Sequence, residues 1–459
     1  MRETSWPLRH AAASVAAMFA LLGTRRFAPL FAVQFLGAFN DNLFRFGLLF
    51  LVTYSLLAND PARAAELVTL AGGLFVLPFA LFSGLAGQVA DAVCKARAIR
   101  WVKFAEILIM AAGVIAIFAN SIPAMFVVLF AMGLQSTFFG PLKYAIIPQH
   151  LRFAEIAGAT ALIEAGTYVA ILSGQLSGGL VTRPLLVGGV LVVAVLGFLT
   201  SRAIPPAPPA RAAQRIDWNP LTSSWTVLKH LRAAPVLWLA ALVGSWFWLL
   251  GIVFTTLFIP LVRGTLGGTE GVANILVAAF SVGVALGSLL IGRWLRDRVS
   301  AIPVPWALGV MTIAAVDLYF AIGGFLPLSL DLPAVAPPQL VTSATFLQGT
   351  GGIRILVDLM VFAMAGGALI VPIYAVLMAH SALEDRAQII AAYNILNSSA
   401  MVVGALGALA LLTQGLSVRE VLLLFSLGNL PVVFLALALV RTVRRHPVVA
   451  TEGDSESSG

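Results

Sequence analysis

Five side chains that can carry charge or hydrogen bonds crowd one otherwise apolar stretch: Gln34, Asn40, Asp41, Asn42 and Arg45. Gln34, Ala38, Asp41 and Arg45 recur at spacings that put them on one face of a helix. Asp41 and Arg45, one turn apart, are placed to pair. Two readings stay open: an ion pair that locks helix packing, or a stripe that faces a cavity and meets a polar substrate. Further along, Lys143 and Tyr144 follow Pro141, which removes a backbone donor and is expected to bend its helix. Lys143 is either a cavity cation or a residue snorkelling to the surface. Glu164, with Tyr168 one turn on, has no adjacent cation, so Lys143 is its expected partner across helices. Asn394, Asn397 and Ser398 share one helix face, where polar groups serve as interhelical glue or as part of a site. Arg354 and Asp358 form a further pair one turn apart. The chemistry open to this set is recognition of charge, with no metal and no cofactor expected. The single cysteine, Cys94, excludes an intrachain disulfide and a Cys-based metal site.

The elements that must position these residues follow from composition. Of 459 residues, 60% are apolar and 10% charged, against about 25% charged in a soluble domain. Mean hydropathy is +0.98. Lipid is therefore the solvent for most of the surface, which excludes a soluble enzyme, a disordered chain and a disulfide scaffold. The unbroken apolar runs are long enough to cross a hydrocarbon core as helices. Twelve spans are expected near 29–57, 66–90, 98–119, 123–147, 155–182, 184–202, 235–262, 272–295, 302–326, 355–380, 387–414 and 417–441. Placing both termini inside puts about 21 of the 28 Lys+Arg on that side, Lys103 counted among them. That bias accounts for the net charge of +8 without a nucleic-acid partner.

The domain plan has five parts. Residues 1–28 form a cytoplasmic segment: Arg2 and Arg9 precede apolar Ala11–Leu22 in the outline of a short signal peptide, yet Arg25 and Arg26 and a full span follow. A helix on the inner membrane surface is expected there. Residues 29–203 form a six-helix bundle, 204–234 a cytoplasmic linker that opens with Pro205, Pro206, Pro208 and Pro209, 235–443 a second six-helix bundle, and 444–459 a disordered tail. Asn219–Leu231 fits an amphipathic interfacial helix. A register shift of 230 places Tyr144-Ala145 on Tyr374-Ala375, His150 on His380 and Ala161 on Ala391, arguing for two related halves.

Gly87–Asp91 followed by Lys95 and Arg97 resembles the loop 2–3 signature of the major facilitator superfamily, with Ala92 where a basic residue is usual. Asp91, Lys95 and Arg97 are accordingly read as a gating latch between the halves. The stretch Gln34–Arg45, together with Phe139–Leu151, Val371–Ala375 and Arg386–Asn397, is similar to the bacterial lysophospholipid transporter family, and to the transporter half of its fusions with 2-acylglycerophosphoethanolamine acyltransferase. Arg45 stands where the fused branch usually has Lys, and Tyr393 where it has Asn. The resemblance implies an all-α fold with the substrate path between two six-helix halves. It also implies flipping of lysophosphatidylethanolamine-type lipids across the bacterial inner membrane. Asp41 and its asparagines would meet the headgroup, Arg45 and Lys143 the phosphate, and Asp41 or Glu164 the ammonium. His380 and Asp385 match a His-x4-Asp acyltransferase pattern, but they fall in a short loop, so reacylation is expected to need a separate acyltransferase. The chain is read as a non-enzymatic monomer among membrane lipids. The rival reading is a proton-coupled drug or solute exporter with Asp41 as proton carrier.

Overall fold

The computed structural model describes residues 19–209, 216–295, 299–325, 340–381 and 386–446. The expected surface helix over 1–28 lies mostly outside the described residues, as does the tail from 447. The first half contains α1 (Ala28–Leu51, extended by a π turn Val52–Leu56), α2 (Pro61–Ala92), α3 (Lys95–Phe118), α4 (Ile122–His150), α5 (Phe153–Leu180) and α6 (Arg183–Ser201). A linker helix α7 (Pro220–Ala233) leads into α8 (Pro235–Pro260, with a π turn Leu261–Thr265), α9 (Glu270–Leu295), α10 (Pro303–Gly323), the short α11 (Ser343–Gln348), α12 (Thr350–Ala379), α13 (Arg386–Thr413), α14 (Val418–Leu427) and α15 (Asn429–Arg445). The helices start where the sequence supplies caps. Asp60 accepts from Arg63 N at 3.0 Å, and Pro61 occupies the first turn of α2, where its missing N–H costs nothing. Asn219 caps α7 through Leu221 N at 3.0 Å, so the expected linker helix forms.

Eleven helices among the described residues are long and apolar enough to cross a membrane, counting α14 and α15 as one broken span. α5 completes the twelve, although several of its side chains lie outside the description. Two departures from expectation stand out. α4 runs as one helix through Pro141 and Pro148 to His150 instead of ending near 147. The last span breaks at Gly428.

The two halves repeat their packing, as the register shift implies. α1 packs on α5 as α8 packs on α13; α2 on α4 as α9 on α12; α3 on α4 and α6 as α10 on α12 and α15. With no hydrophobic drive between helices in lipid, close approach depends on small residues. Gly133 of α4 abuts the Phe75 carbonyl of α2, and Gly287 of α9 abuts the Met364 carbonyl of α12; a methyl group at either would collide with backbone.

Across the halves, α2 packs on α13 and α8, and α5 on α9. Among the described residues, two hydrogen bonds bridge the halves directly: Tyr54 Oη to the Gly268 carbonyl at 3.2 Å, and Arg263 Nη2 to the Ala58 carbonyl at 3.4 Å. Both lie at the end where α1 turns into α2, opposite the linker. At the linker end the proline-rich strand is tied to the first half. Lys95 N donates to Ala207 O at 3.0 Å, Lys95 Nζ to Pro208 O at 3.3 Å, Arg100 Nη2 to Ile204 O at 3.2 Å and Gln149 Nε2 to Pro208 O at 3.2 Å.

Candidate functional site

α1 carries its polar residues about midway along its length. Asn40 is the thirteenth residue of the helix, about 18 Å from its start. At that depth an isolated charge costs roughly 2.5–3.5 kcal/mol on insertion scales, so each group must find a partner or a cavity. Asn40 finds one on α3: its Nδ2 donates to Glu106 Oε1 at 2.9 Å. Glu106 Oε2 accepts from Lys103 Nζ at 2.6 Å and from Gln135 Nε2 of α4 at 3.3 Å. Lys103 and Glu106 are 1% and 2% exposed, so this is a fully buried ion pair. The Lys103 ammonium also lies 4.8 Å from the centre of the Phe139 ring.

Asp41 joins the network at its edge. Ser136 of α4 has one hydroxyl proton for two acceptors, Asp41 Oδ2 at 2.5 Å and Gln135 Oε1 at 3.0 Å. The other carboxylate oxygen, Asp41 Oδ1, is buried and has no hydrogen-bond partner. Arg45 is buried too, but the expected pair with Asp41 does not form. Its guanidinium lies over the Phe75 and Phe46 rings at 5.2 and 5.6 Å, and its Nε and Nη2 have no hydrogen-bond partner. The spacing permits an Asp41–Arg45 bridge, but Ser136 draws the acid towards α4 while the aromatic faces hold the cation. Polar atoms buried without partners normally cost about 1–3 kcal/mol each. Here one acidic and one basic group, a turn apart, both keep hydrogen-bonding capacity open.

The remaining expected residues divide. Gln34 Nε2 donates to Thr167 Oγ1 at 2.8 Å, tying α1 to α5, and Asn42 bridges to Gln175 of α5 at 3.4 Å. Asn397 is buried and accepts from Ser245 Oγ of α8 at 2.7 Å, which is interhelical glue, while Asn394 is exposed. Lys143 is half-buried with its ammonium 4.7 Å from the centre of the exposed Tyr144 ring. The side chains of Glu164 and Tyr168 lie outside the described residues, as does the Lys143–Glu164 pairing. Arg354 does not bridge to Asp358 as the spacing suggests; it pairs with Asp317 of α10. In the loop region Lys95 is buried on the linker carbonyls, Arg97 is exposed, and Asp91 is half-buried, with no ion pair among the described residues.

Sequence reasoning missed Lys103, Glu106, Gln135 and Ser136. The signal was present: Glu106 is the sole acid in the 98–119 run, and Lys103 sits three residues before it. Gly37 of α1 makes room for the Lys103 ammonium, since a methyl group there would strike Nζ. Gly37→Ala is therefore expected to push Lys103 off Glu106 and lower the melting temperature, by about 1–3 kcal/mol of stability. Thermal melting in detergent checks this, and a Gly37→Ala protein as stable as the parent would contradict the tight fit.

The Major Facilitator Superfamily profile matches residues 30–405. The chain is 28% identical over 267 residues to lysophospholipid transporter LplT of Enterobacter sp. (strain 638), covering 56% of this chain and 63% of that protein. It is 27% identical over 278 residues to lysophospholipid transporter LplT of Serratia proteamaculans (strain 568), covering 58% and 65%. The chain thus spans just under two thirds of these curated relatives. Among solved structures it superposes on a bacterial homologue of the human lysosomal transporter Spinster with a TM-score of 0.64 at 16% identity, covering 93% of this chain and 99% of that one. The human organic anion transporter MFSD10 gives 0.62 at 13% identity, covering 90% and 99%. The repeated six-helix packing, the profile match over most of the sequence and these superpositions agree: the chain belongs to the Major Facilitator Superfamily.

Proposed function

We propose that this protein moves lysophospholipids, of the lysophosphatidylethanolamine type, across a bacterial inner membrane by alternating access between its two halves. The observation that carries the reading is the mid-membrane cluster on α1, where Asp41 Oδ1 and Arg45 Nε and Nη2 are buried with unused hydrogen-bonding capacity. A zwitterionic headgroup supplies both complements: its ammonium to Asp41, its phosphate to Arg45. The similarity to lysophospholipid transporters supports the same substrate class. In this reading residues 29–203 and 235–443 are the rocking bodies, both termini are cytoplasmic, and a separate acyltransferase consumes the delivered lipid. The protein itself makes and breaks no covalent bond.

The test is transport of labelled lysophosphatidylethanolamine by the purified protein in proteoliposomes, with and without an ion gradient. Uptake above empty vesicles supports the reading. Absence of uptake, with gradient-driven movement of an unrelated solute instead, would replace it with the exporter alternative.

Asp91 belongs to the same scheme. Two hydrogen bonds join the halves at the Tyr54 end, and Asp91 at the other end makes no ion pair among the described residues. A latch that closes when the Tyr54 end opens predicts that Asp91→Asn raises labelling of cysteines placed on the linker side and lowers it on the far side. Equal labelling in the two proteins would exclude the latch.

A further inference from the structure

On the flank of the second half, a groove of about 580 Å³ runs between α10 and α12, lined by Val310, Ile313, Phe320, Val361, Asp317 and Asp358. The apolar side chains are exposed: Ile313, for example, is 72% accessible and Phe320 62%. In a membrane those surfaces face hydrocarbon, so an acyl chain can lie along them at no desolvation cost. The polar part of the groove is unusual for such a place. Asp317 pairs with Arg354, and both are about half exposed. Asp358 is 8% exposed, lines the groove and lies within hydrogen-bonding reach of Asp317. Two carboxyl groups this close need a shared proton or a second cation, because Arg354 bridges only Asp317. A second cavity adjoins across Phe320 and holds Arg354 beside the N-terminus of α12 at Thr350, where backbone N–H groups and the helix dipole favour an anion.

We infer that this flank groove is a second lipid site, which takes a single-chain phospholipid with a primary ammonium headgroup. The ammonium lies between Asp317 and Asp358, in place of the proton that they otherwise share. The phosphate lies towards Arg354 and the start of α12, and the acyl chain runs along Ile313 and Val361. This deepens the transport reading, since the groove would hold substrate at the membrane flank, separate from the α1 cluster.

The experiment uses the full-length protein in nanodiscs of phosphatidylglycerol. The probe is lysophosphatidylethanolamine with a photoactivatable group midway along its chain, and cross-linked peptides are mapped by mass spectrometry. Cross-links are expected on α10 and α12 near Ile313 and Val361. Asp358→Asn removes the charge with little change of shape and is expected to lower that yield about tenfold. Ile313→Trp fills the groove from its exposed side, leaves the ions untouched, and is expected to lower it as well. The lysophosphatidic acid analogue, which lacks the ammonium, is expected to label about tenfold less than the ethanolamine probe. Equal labelling by both probes, or undiminished labelling in both variants, overturns the site. The transport assay keeps the two readings apart. Transport without groove labelling removes the groove alone. Groove labelling in a protein that moves no lysophospholipid removes the transport reading and leaves the groove.

Discussion

A chain carrying Asp41→Asn should reach the membrane, melt within a few degrees of the parent and move no lysophospholipid. The substitution keeps the shape of the side chain and its contact with Ser136, and removes one charge. Asp41 is not part of the buried ion pair, so its stability contribution is limited to one hydrogen bond, about 0.5–1.5 kcal/mol. Its transport contribution is a different matter. Losing a desolvated carboxylate that meets an ammonium costs on the order of 2–5 kcal/mol of binding, about 30-fold or more. Transport per folded molecule, measured beside a melting curve, separates the two. A destabilised Asp41→Asn protein that still transports at the parental rate would assign Asp41 to packing and withdraw the headgroup role.

The larger stability effect belongs to Lys103 and Glu106. Glu106→Gln leaves the Lys103 ammonium buried without a counter-charge and should destabilise the protein by about 3–5 kcal/mol. The double variant Lys103→Met with Glu106→Gln removes both charges and should recover most of that loss, because a buried pair repays little beyond its own desolvation. If the pair is structural, the double variant also transports. A single Glu106→Gln protein that melts with the parent would mean that Lys103 is solvated from a cavity. A stable double variant that no longer transports would move Lys103 from the scaffold into the substrate path.

The spans were readable because lipid imposes a composition on whole segments, and local errors average out over about 20 residues. Positions within spans were less readable. Lys103 looked like an inner-face charge because the positive-inside pattern counts residues near span ends. α3 begins at Lys95, so Lys103 lies eight residues, about 12 Å, inside it. The Asp41–Arg45 and Arg354–Asp358 pairs were inferred from spacing on one helix. In both cases a group from elsewhere competes better: Ser136 for Asp41, and Asp317 for Arg354. Spacing fixes which residues share a face but carries no information about the neighbouring helix. The short α11 had no periodic signal over its six residues. The three consecutive polar residues of α1 stand out in the sequence, but not where they turn: Asn40 meets α3, Asp41 meets α4 and Asn42 meets α5.

The tied linker strand shifts the mechanical boundary of the molecule. Read as a string, the chain divides in the proline-rich stretch after Ala203. Read as a machine, Ile204–Pro208 is fastened to the first half, because Lys95 and Arg100 of α3 and Gln149 of α4 hold its carbonyls. α7 is clasped by the same body: Gln88 accepts from Asp217 N at 2.7 Å, and Gly84 lies flush against the Ser223–Ser224 backbone. α7 also packs against α13 of the second half. If the halves rock, α7 moves with the first half and bears on α13. The pivot then falls at the single residue between α7 and α8, Ala234, whose extended backbone (φ −105°, ψ 104°) is the conformation that a following proline enforces. A joint of one residue, stiffened by Pro235, transmits torque where a long slack loop would absorb it.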